Sequence, residues 1–119
     1  DIFDCAHFDG VIAVASYPVD LHHPVGGDCS LWWCPDCYDV PYRCLIPKKV
    51  DGVIAAGRDI SATHLALASV RVMGPAMCLG EAAGKAAALA VKDNKELRDL
   101  DVTELQNALR KEGVWFRDK

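Results

Sequence analysis

Short apolar runs between turn residues mark the first half of the chain. Val11–Ala15 is an apolar run between Gly10 and a Ser-Tyr-Pro sequence, and it predicts a short buried strand. Across residues 18–47 prolines recur and two glycines are adjacent, so we expect no regular helix there. Tyr42–Ile46 lies between two prolines, which favour extended backbone in their neighbours, and it is expected to be extended.

The second half combines one apolar run with helical patterns. Val53–Ala56 is apolar and is closed by Gly57, which predicts a strand buried on both faces of a parallel sheet. Ser61–Val72 predicts one or two irregular helical turns. Pro75 then suits the first turn of a long helix that reaches about Lys92, because proline lacks the N–H that has no partner at a helix start.

Small residues recur at helical spacing along this long helix and give it one face of nearly bare backbone. Each glycine costs about 1 kcal/mol relative to alanine in a helix interior, so we expect another part of the molecule to pack close to this face. Charged residues elsewhere on the helix exclude the small-residue packing of membrane helices. The small residues are Ala76, Gly80, Gly84 and Ala87 or Ala88.

The last helix is predicted from its ends. Asp101–Glu104 resembles a capping box, and apolar residues then repeat on one face until Gly113, which suits a helix C-terminus. The sequence therefore predicts a terminal amphipathic helix.

Composition narrows the class of protein. The 119 residues are 51% hydrophobic and 25% charged, which is typical of a globular domain. The net charge of -4 and the absence of a basic stripe argue against nucleic acid as a partner. Charges interrupt every apolar run before about 20 residues, so no membrane anchor is expected.

A strand, a turn and a helix start together suggest a binding site. The turn at Gly57-Arg58-Asp59 follows the predicted strand, and Met73-Gly74-Pro75 marks the start of the long helix. Free N–H groups and the positive end of the helix dipole attract anions and polar ring edges. Spacing alone supports no more than a polar ligand at the helix start, and a strand-turn-helix of this kind is more often plain scaffold.

The amino-acid sequences of five segments indicate a protein family more specifically than the spacing of the predicted elements does. Tyr17–His22, Tyr42–Asp51, Val53–His64, Ala68–Met73 and Gly80–Gly84 closely resemble the C-terminal part of the bacterial FAD-dependent oxidoreductase family. The resemblance covers most of the chain.

The resemblance implies an α/β fold: the C-terminal fragment of a Rossmann-like FAD-binding domain, preceded by an irregular β and loop segment of the substrate domain. Residues 1–47 would be the tail of the substrate domain, and residues 48–119 the strand-turn-helix part of the FAD-binding domain. FAD is the implied cofactor. The implied partners are a small-molecule substrate and the missing N-terminal FAD-binding and substrate regions of the same protein.

The resemblance also implies site residues. The turn would face the ribityl-pyrophosphate of FAD, and the start of the long helix would approach the isoalloxazine ring, where its N–H groups stabilise negative charge. The implied cofactor-binding residues are Gly57, Arg58, Asp59, Arg71, Met73, Gly74, Ala76 and Met77. The candidate catalytic residues are Arg43, His64 and Arg71.

The arginines and histidines have structural alternatives. Arg43, Arg58 and Arg71 stand among apolar residues and would need an anionic partner if buried: a substrate carboxylate, the pyrophosphate, or an internal carboxylate. His22 and His23 beside Asp20, and His64, could donate protons near a flavin. Hydrogen-bonded loop residues are the favoured interpretation of His22 and His23, whereas His64 is open between the two.

Cysteines and tryptophans supply the rival hypotheses. The alternative function is a structural metal module for zinc or an iron–sulfur cluster, with Cys29, Cys34, Cys37 and Cys44 as candidate ligands. A disulfide is a further alternative, free buried thiols are favoured, and no metal is expected. A separately expressed interaction domain is a third hypothesis.

Trp32 and Trp33 are expected to pack a loop, and stacking on a substrate is the less favoured interpretation.

The chain has no G-x-G-x-x-G turn, which in the family holds the pyrophosphate of FAD. We therefore expect the isolated chain not to bind FAD tightly and not to turn over. Gel filtration followed by absorbance at the flavin bands measures this, and flavin that remains with the isolated chain would contradict it.

Overall fold

The computed structural model describes residues 1–117 and contains four short strands and three α-helices. The strands are β1 Val11–Ala15, β2 Val19–His22, β3 Cys29–Trp32 and β4 Tyr38–Pro41. The helices are α1 His64–Val70, α2 Met73–Asp93 and α3 Val102–Lys111, with 3₁₀ turns at Tyr42–Leu45 and Leu97–Asp99.

The strands form two antiparallel sheets of two strands each. β1 pairs with β4, with Val14 opposite Asp39, and β2 pairs with β3, with Asp20 opposite Leu31. The predicted strand at Val11–Ala15 is confirmed, because its apolar side chains are almost all buried. The fold is mixed α and β.

Two predicted extended segments are wrong. Val53–Ala56 is no strand: Val53 is 47% exposed, and the segment has one backbone bond to another element, from Ala55 N–H to the carbonyl of Leu45 at 2.9 Å. A β-strand needs backbone hydrogen bonds to a neighbouring strand, and no described strand lies beside residues 53–56. Tyr42–Leu45 is a 3₁₀ turn that buries Tyr42 and Leu45. Pro47 restrains only its neighbour Ile46, which is extended.

The long helix is confirmed, with Pro75 in its first turn and its end one residue after Lys92. It ends at Asn94, which adopts the left-handed conformation with φ of 50°. Its buried face carries Leu79, Ala82, Ala83, Ala86 and Ala90, and it packs on β1.

The small-residue face of α2 is open to solvent. Gly80, Gly84 and Ala88 are exposed. A Cβ atom built on either glycine meets no atom within 4 Å. The close packing expected against this face is not supplied by any residue in the range 1–117.

The last helix has the predicted ends. The carboxylate of Asp101 accepts hydrogen bonds from the N–H groups of Thr103 and Glu104. At the other end Gly113, with φ of 94°, donates to the carbonyl of Arg110, and Val114 donates to that of Leu109. This pair of bonds is the Schellman arrangement, which satisfies carbonyls that would otherwise lack partners.

One hydrophobic core draws on both halves of the chain. Its fully buried members include Ile12, Val19, Leu45, Leu79 and Leu105. The division into segments 1–47 and 48–119 stays a prediction, and Asp118 and Lys119 lie outside the described residues.

A buried guanidinium joins the end of the described chain to β4 and to the first residues. Arg117 Nε donates to Asp39 Oδ1 at 3.0 Å, and the two side chains are only 10% and 3% exposed. The same guanidinium donates to the carbonyls of Cys37, Cys5 and Ala6 at 2.7, 3.0 and 2.8 Å.

A hydroxyl chain fixes α1 against the strands. Ser69, fully buried, donates to the carbonyl of Tyr17, and Tyr38 donates to the Ser69 oxygen at 2.5 Å. Burial raises the pKa of Tyr38 to about 12.

Among residues 1–117 no single helix combines the length and apolar character needed to cross a bilayer. Only α1 and α2 taken together, with a 94° bend between them, reach those limits.

Replacing Arg117 with Met should lower the free energy of unfolding by about 3 kcal/mol, because it leaves the Asp39 carboxylate buried without its cation. Urea unfolding of the purified protein measures the loss. Arg110→Met is the matched control, since Arg110 only lies over the Phe116 ring at 5.0 Å and should cost about 1 kcal/mol or less. Equal losses in the two variants would contradict the role of the ion pair.

Stability should fall as the pH rises from about 10 to about 12, because burial raises the pKa of both Tyr38 and Tyr42 to about 12. The unfolded chain releases these protons first, so the stabilisation is complete below pH 10 and lost as the pH passes 12. Unfolding free energies across this interval should decline less in Tyr38→Phe/Tyr42→Phe than in the wild type. Tyr17→Phe, at an exposed tyrosine, should leave the slope unchanged.

Candidate functional site

The corner between α1 and α2 organises the candidate site. Thr63 caps α1 through a hydrogen bond from the Ala66 N–H to its side-chain oxygen at 3.3 Å. α1 ends at Val70, and α2 begins after Val72 at an angle of 94°. Arg71 therefore stands at the turning point, and we call residues 70–74 the helix corner.

The β2–β3 hairpin faces this corner. In the antiparallel register Asp20 lies opposite Leu31, and His22 lies opposite Cys29. Side chains alternate along a strand and directly opposed residues share a face, so these four side chains lie on one face of the hairpin. α1 packs on β2, and the Asp20 side chain on this face contacts Arg71 at the helix corner.

A groove of about 670 Å³ runs between the hairpin and the helix corner. We call it the corner groove. Its size falls within the range of small-molecule sites, about 300–1,000 Å³. Its lining comes from the end of β1, the hairpin and the start of α2: Val14, Ala15, Ser16, Tyr17, Pro18, Leu31, Trp33, Val72, Gly74, Pro75 and Cys78.

An arginine, a carboxylate and an imidazole form a chain of contacts at the corner. Arg71 Nη2 lies 3.4 Å from Asp20 Oδ2 and donates to the Asp20 carbonyl at 3.2 Å. The same Oδ2 atom lies 3.2 Å from His22 Nε2. The anionic partner that the sequence required for Arg71 is thus an internal carboxylate. The other carboxylate oxygen, Asp20 Oδ1, is buried and has no hydrogen-bond partner among the described residues.

The start of α2 is uncovered. No side chain caps it at Val72, and Met73 and Met77 are 82% and 75% exposed. Gly74 is exposed, with no atom within 4 Å of the position that a Cβ would take. A ligand can therefore approach the backbone of this turn closely, and Ala76 lies half-buried beside it.

The Gly57 turn is equally accessible. Gly57 has φ of 101°, a conformation that L side chains rarely adopt, and open space where a Cβ would be. Arg58 and Asp59 are exposed. Within residues 1–117 no ion pair or hydrogen bond involves the Arg58 side chain, so its charge is available to an anion.

None of the three candidate catalytic residues, Arg43, His64 and Arg71, lines the corner groove. Arg43 is exposed, stacks over the Phe8 ring at 4.7 Å, and lines a different cavity of about 200 Å³ that Ile60 and Thr63 also line. His64 is the first residue of α1 and is exposed. Because Arg43 and Arg58 are exposed, neither needs the anionic partner that burial would have required.

The cysteines do not assemble a metal centre in the described part of the chain. No three side chains of the ligand types His, Cys, Asp and Glu come together there. All six cysteines are free thiols, but the expectation that they are buried is wrong: Cys29 and Cys78 are exposed, and the other four are half-buried. Burial raises the pKa values of Cys34, Cys37 and Cys44, and the nearby Cys5 thiol adds to the shift at Cys34.

The sequence did not predict that the β2–β3 hairpin forms one wall of the corner groove. Trp32 and Trp33 were expected to pack a loop, yet both are exposed, and Trp33 lines the corner groove with Leu31. The alternation of residues 29, 31 and 33 was the signal that could have placed Trp33 on the same face as Leu31.

Comparison with known proteins adds the family. No curated protein and no solved structure matches the chain. The sequence profile of the family described as FAD dependent oxidoreductase matches residues 1–109. Because this match extends over most of the 119 residues, the chain belongs to the FAD-dependent oxidoreductase family.

Proposed function

We propose that this chain is the C-terminal portion of an FAD-dependent oxidoreductase and that it contributes the start of α2 and the Gly57 turn to the flavin site. The observation that carries the proposal is the uncapped, uncovered first turn of α2 at the end of the corner groove. A helix start without a side-chain cap has N–H groups free to donate to a ligand.

The residues present suit the group that the family uses. Gly74 lets a flat ring approach the backbone, and Met73 and Met77 give this end of the helix an exposed apolar surface. Arg58 offers an unpaired cation for the pyrophosphate next to the left-handed turn at Gly57. These are the residues that would hold FAD on this side.

When bound, FAD would supply the acceptor for a hydride from the substrate. The chain's own part is binding and electrostatics. The N–H groups and dipole of α2 stabilise negative charge at the helix start, and the apolar wall of Leu31 and Trp33 holds a small-molecule substrate and excludes water.

The exposed small-residue face of α2 is an argument that another part of the same protein packs against this helix. Gly80, Gly84 and Ala88 leave a strip of backbone that nothing covers between residues 1 and 117. Glycine in a helix interior lowers stability, and it is compatible with close packing of a neighbouring layer. We propose that the Rossmann-like remainder of the FAD-binding domain packs here and carries the G-x-G-x-x-G turn.

The substitution Gly74→Leu tests the flavin contact in the full-length protein. Its side chain enters open space, so the fold should be kept, whereas it should obstruct the flavin and weaken FAD affinity by about tenfold or more. Equilibrium titration of the apoprotein with FAD, followed by flavin fluorescence, measures the affinity.

Gly27→Leu is the matched control. Gly27 also has nothing within 4 Å of a Cβ, but it lies in the hairpin loop and not at the helix corner, so its variant should bind FAD as the wild type does. Equal FAD affinity in wild type and Gly74→Leu would rule out a flavin contact at this turn.

A further inference from the structure

We propose that the cavity of about 200 Å³ beside Arg43, which we call the Arg43 cavity, binds a small carboxylic acid with an aromatic or branched aliphatic tail. The tail lies within the cavity, and the carboxylate pairs with the Arg43 guanidinium at its edge. The Arg43 cavity shares no lining residue with the corner groove. The inference therefore goes beyond the proposed flavin site and does not depend on it.

The walls of the Arg43 cavity are mostly apolar. They come from the first residues of the chain, from β4 and the 3₁₀ turn after it, and from α1 with the segment before it. Val40, Ile60 and Val70 are no more than 7% exposed, so this part of the wall belongs to the hydrophobic core. The apolar lining residues include Ile2, Phe8, Val40, Ile60, Ala66 and Val70.

Backbone hydrogen bonds hold these walls in place. The Phe8 N–H donates to Asp39 Oδ2 at 3.0 Å, which ties the first residues to β4. The Ser61 N–H donates to the carbonyl of Cys44 at 2.8 Å, which ties the segment before α1 to the 3₁₀ turn. The cavity is therefore formed before a ligand arrives, so little conformational freedom is lost when one binds.

The buried polar side chains on the walls already have partners in the protein. The Tyr38 hydroxyl is hydrogen-bonded to Ser69, and Asp39 Oδ1 accepts from Arg117 Nε at 3.0 Å. The charge of Asp39 is thus balanced by a cation. Asp1 is the other acidic residue of the lining, and its side chain is 85% exposed, so solvent screens its charge. Neither carboxylate therefore excludes an anion from the cavity.

Arg43 places a positive charge at the edge of the cavity. Its guanidinium carbon lies 4.7 Å from the centre of the Phe8 ring, and Phe8 is one of the lining residues. Within residues 1–117 neither an ion pair nor a hydrogen bond occupies the Arg43 side chain. Stacking on the ring restrains the guanidinium and leaves its N–H groups able to donate. A planar guanidinium binds a carboxylate through two parallel hydrogen bonds, which favours this head group.

A basic groove adjoins the cavity. It has a volume of about 660 Å³, and Arg43 and Ser61 line both spaces. Lys48 and Arg98 also line the groove, and none of its described lining residues is acidic, although the whole chain has a net charge of -4. Arg98 Nε donates to Asp51 Oδ1 at 2.6 Å, so Arg43 and Lys48 carry the excess charge. This local excess attracts anions and disfavours cationic ligands.

The volume of the cavity limits the tail of the ligand. An apolar cavity of about 150 Å³ is large enough to bind benzene. The Arg43 cavity, at about 200 Å³, therefore accommodates a phenyl ring with one further carbon, or a short branched chain. Phenylacetate and isovalerate are the probes that match this volume and the single positive charge at its edge.

Isothermal titration calorimetry of the full-length protein tests the head group. Phenylacetate should bind with a dissociation constant of about 1 mM or lower, and phenylacetamide, which has the same tail without the charge, should bind about tenfold more weakly. Arg43→Gln should weaken phenylacetate binding by about tenfold and leave phenylacetamide binding unchanged. Arg110→Gln is the matched control, since Arg110 also stacks on a ring, that of Phe116, but does not line the cavity. It should bind both compounds as the wild type does.

Filling the cavity tests the tail. Ala66 is a half-buried residue of α1 on the cavity wall, and Ala66→Leu should abolish the binding of phenylacetate and isovalerate. Ala108→Leu changes a half-buried alanine of α3 that is not on this wall, and it should bind both as the wild type does. Acetate, which has the head group without the tail, should bind about tenfold more weakly than phenylacetate.

The proposal is contradicted if wild-type protein binds neither phenylacetate nor isovalerate at about 10 mM, which is the outcome if another part of the full-length protein occupies the cavity. Equal affinities for phenylacetate and phenylacetamide, or an unchanged phenylacetate affinity in Arg43→Gln, would overturn it as well. Arg43 is exposed, so this variant keeps the test valid even if Ala66→Leu does not fold. None of these measurements uses flavin affinity, so their outcome is separate from that of the Gly74→Leu test.

Discussion

The buried pair of Arg117 and Asp39 is the constraint on which the rest of this fold depends. One guanidinium, close to the end of the described chain, binds a carboxylate on β4 and the carbonyls of Cys5, Ala6 and Cys37. The Asp39 carboxylate and the Arg117 guanidinium can be buried only because each has its partner, since an isolated buried carboxylate would lower stability. The pair thereby holds the first turn, β4 and the segment after α3 around a core that two-stranded sheets could not support alone.

That core positions the helix corner. β1 lies under α2, and the hydroxyl chain from Tyr38 through Ser69 to the Tyr17 carbonyl fixes α1 where the chain leaves β1. Strand β2 of the hairpin packs against α1, and the Asp20 carboxylate accepts a hydrogen bond from Arg71. The groove is the space left where the hairpin meets the end of β1 and the start of α2, so its shape is a consequence of packing and not of any single motif.

Local patterns predicted the elements whose stability is local. The apolar run of β1, the first-turn proline of α2 and the caps of α3 each act within a few residues, and each is found where expected. The segment Val53–Ala56 is different, because an apolar run becomes a strand only when a neighbouring strand completes its hydrogen bonds, and no strand among residues 1–117 does so. Nor could composition show that Arg43 and Arg58 would be exposed while Arg71 would find a carboxylate on β2.

The sequence by itself determined the family, three helices and the strand β1, because these depend on residue identity and short-range geometry. Only the tertiary structure decided which polar side chains meet. Asp20 and Arg71 are 51 residues apart, and their contact exists because α1 packs on β2. The tertiary structure likewise placed Trp33 on the groove wall beside Leu31.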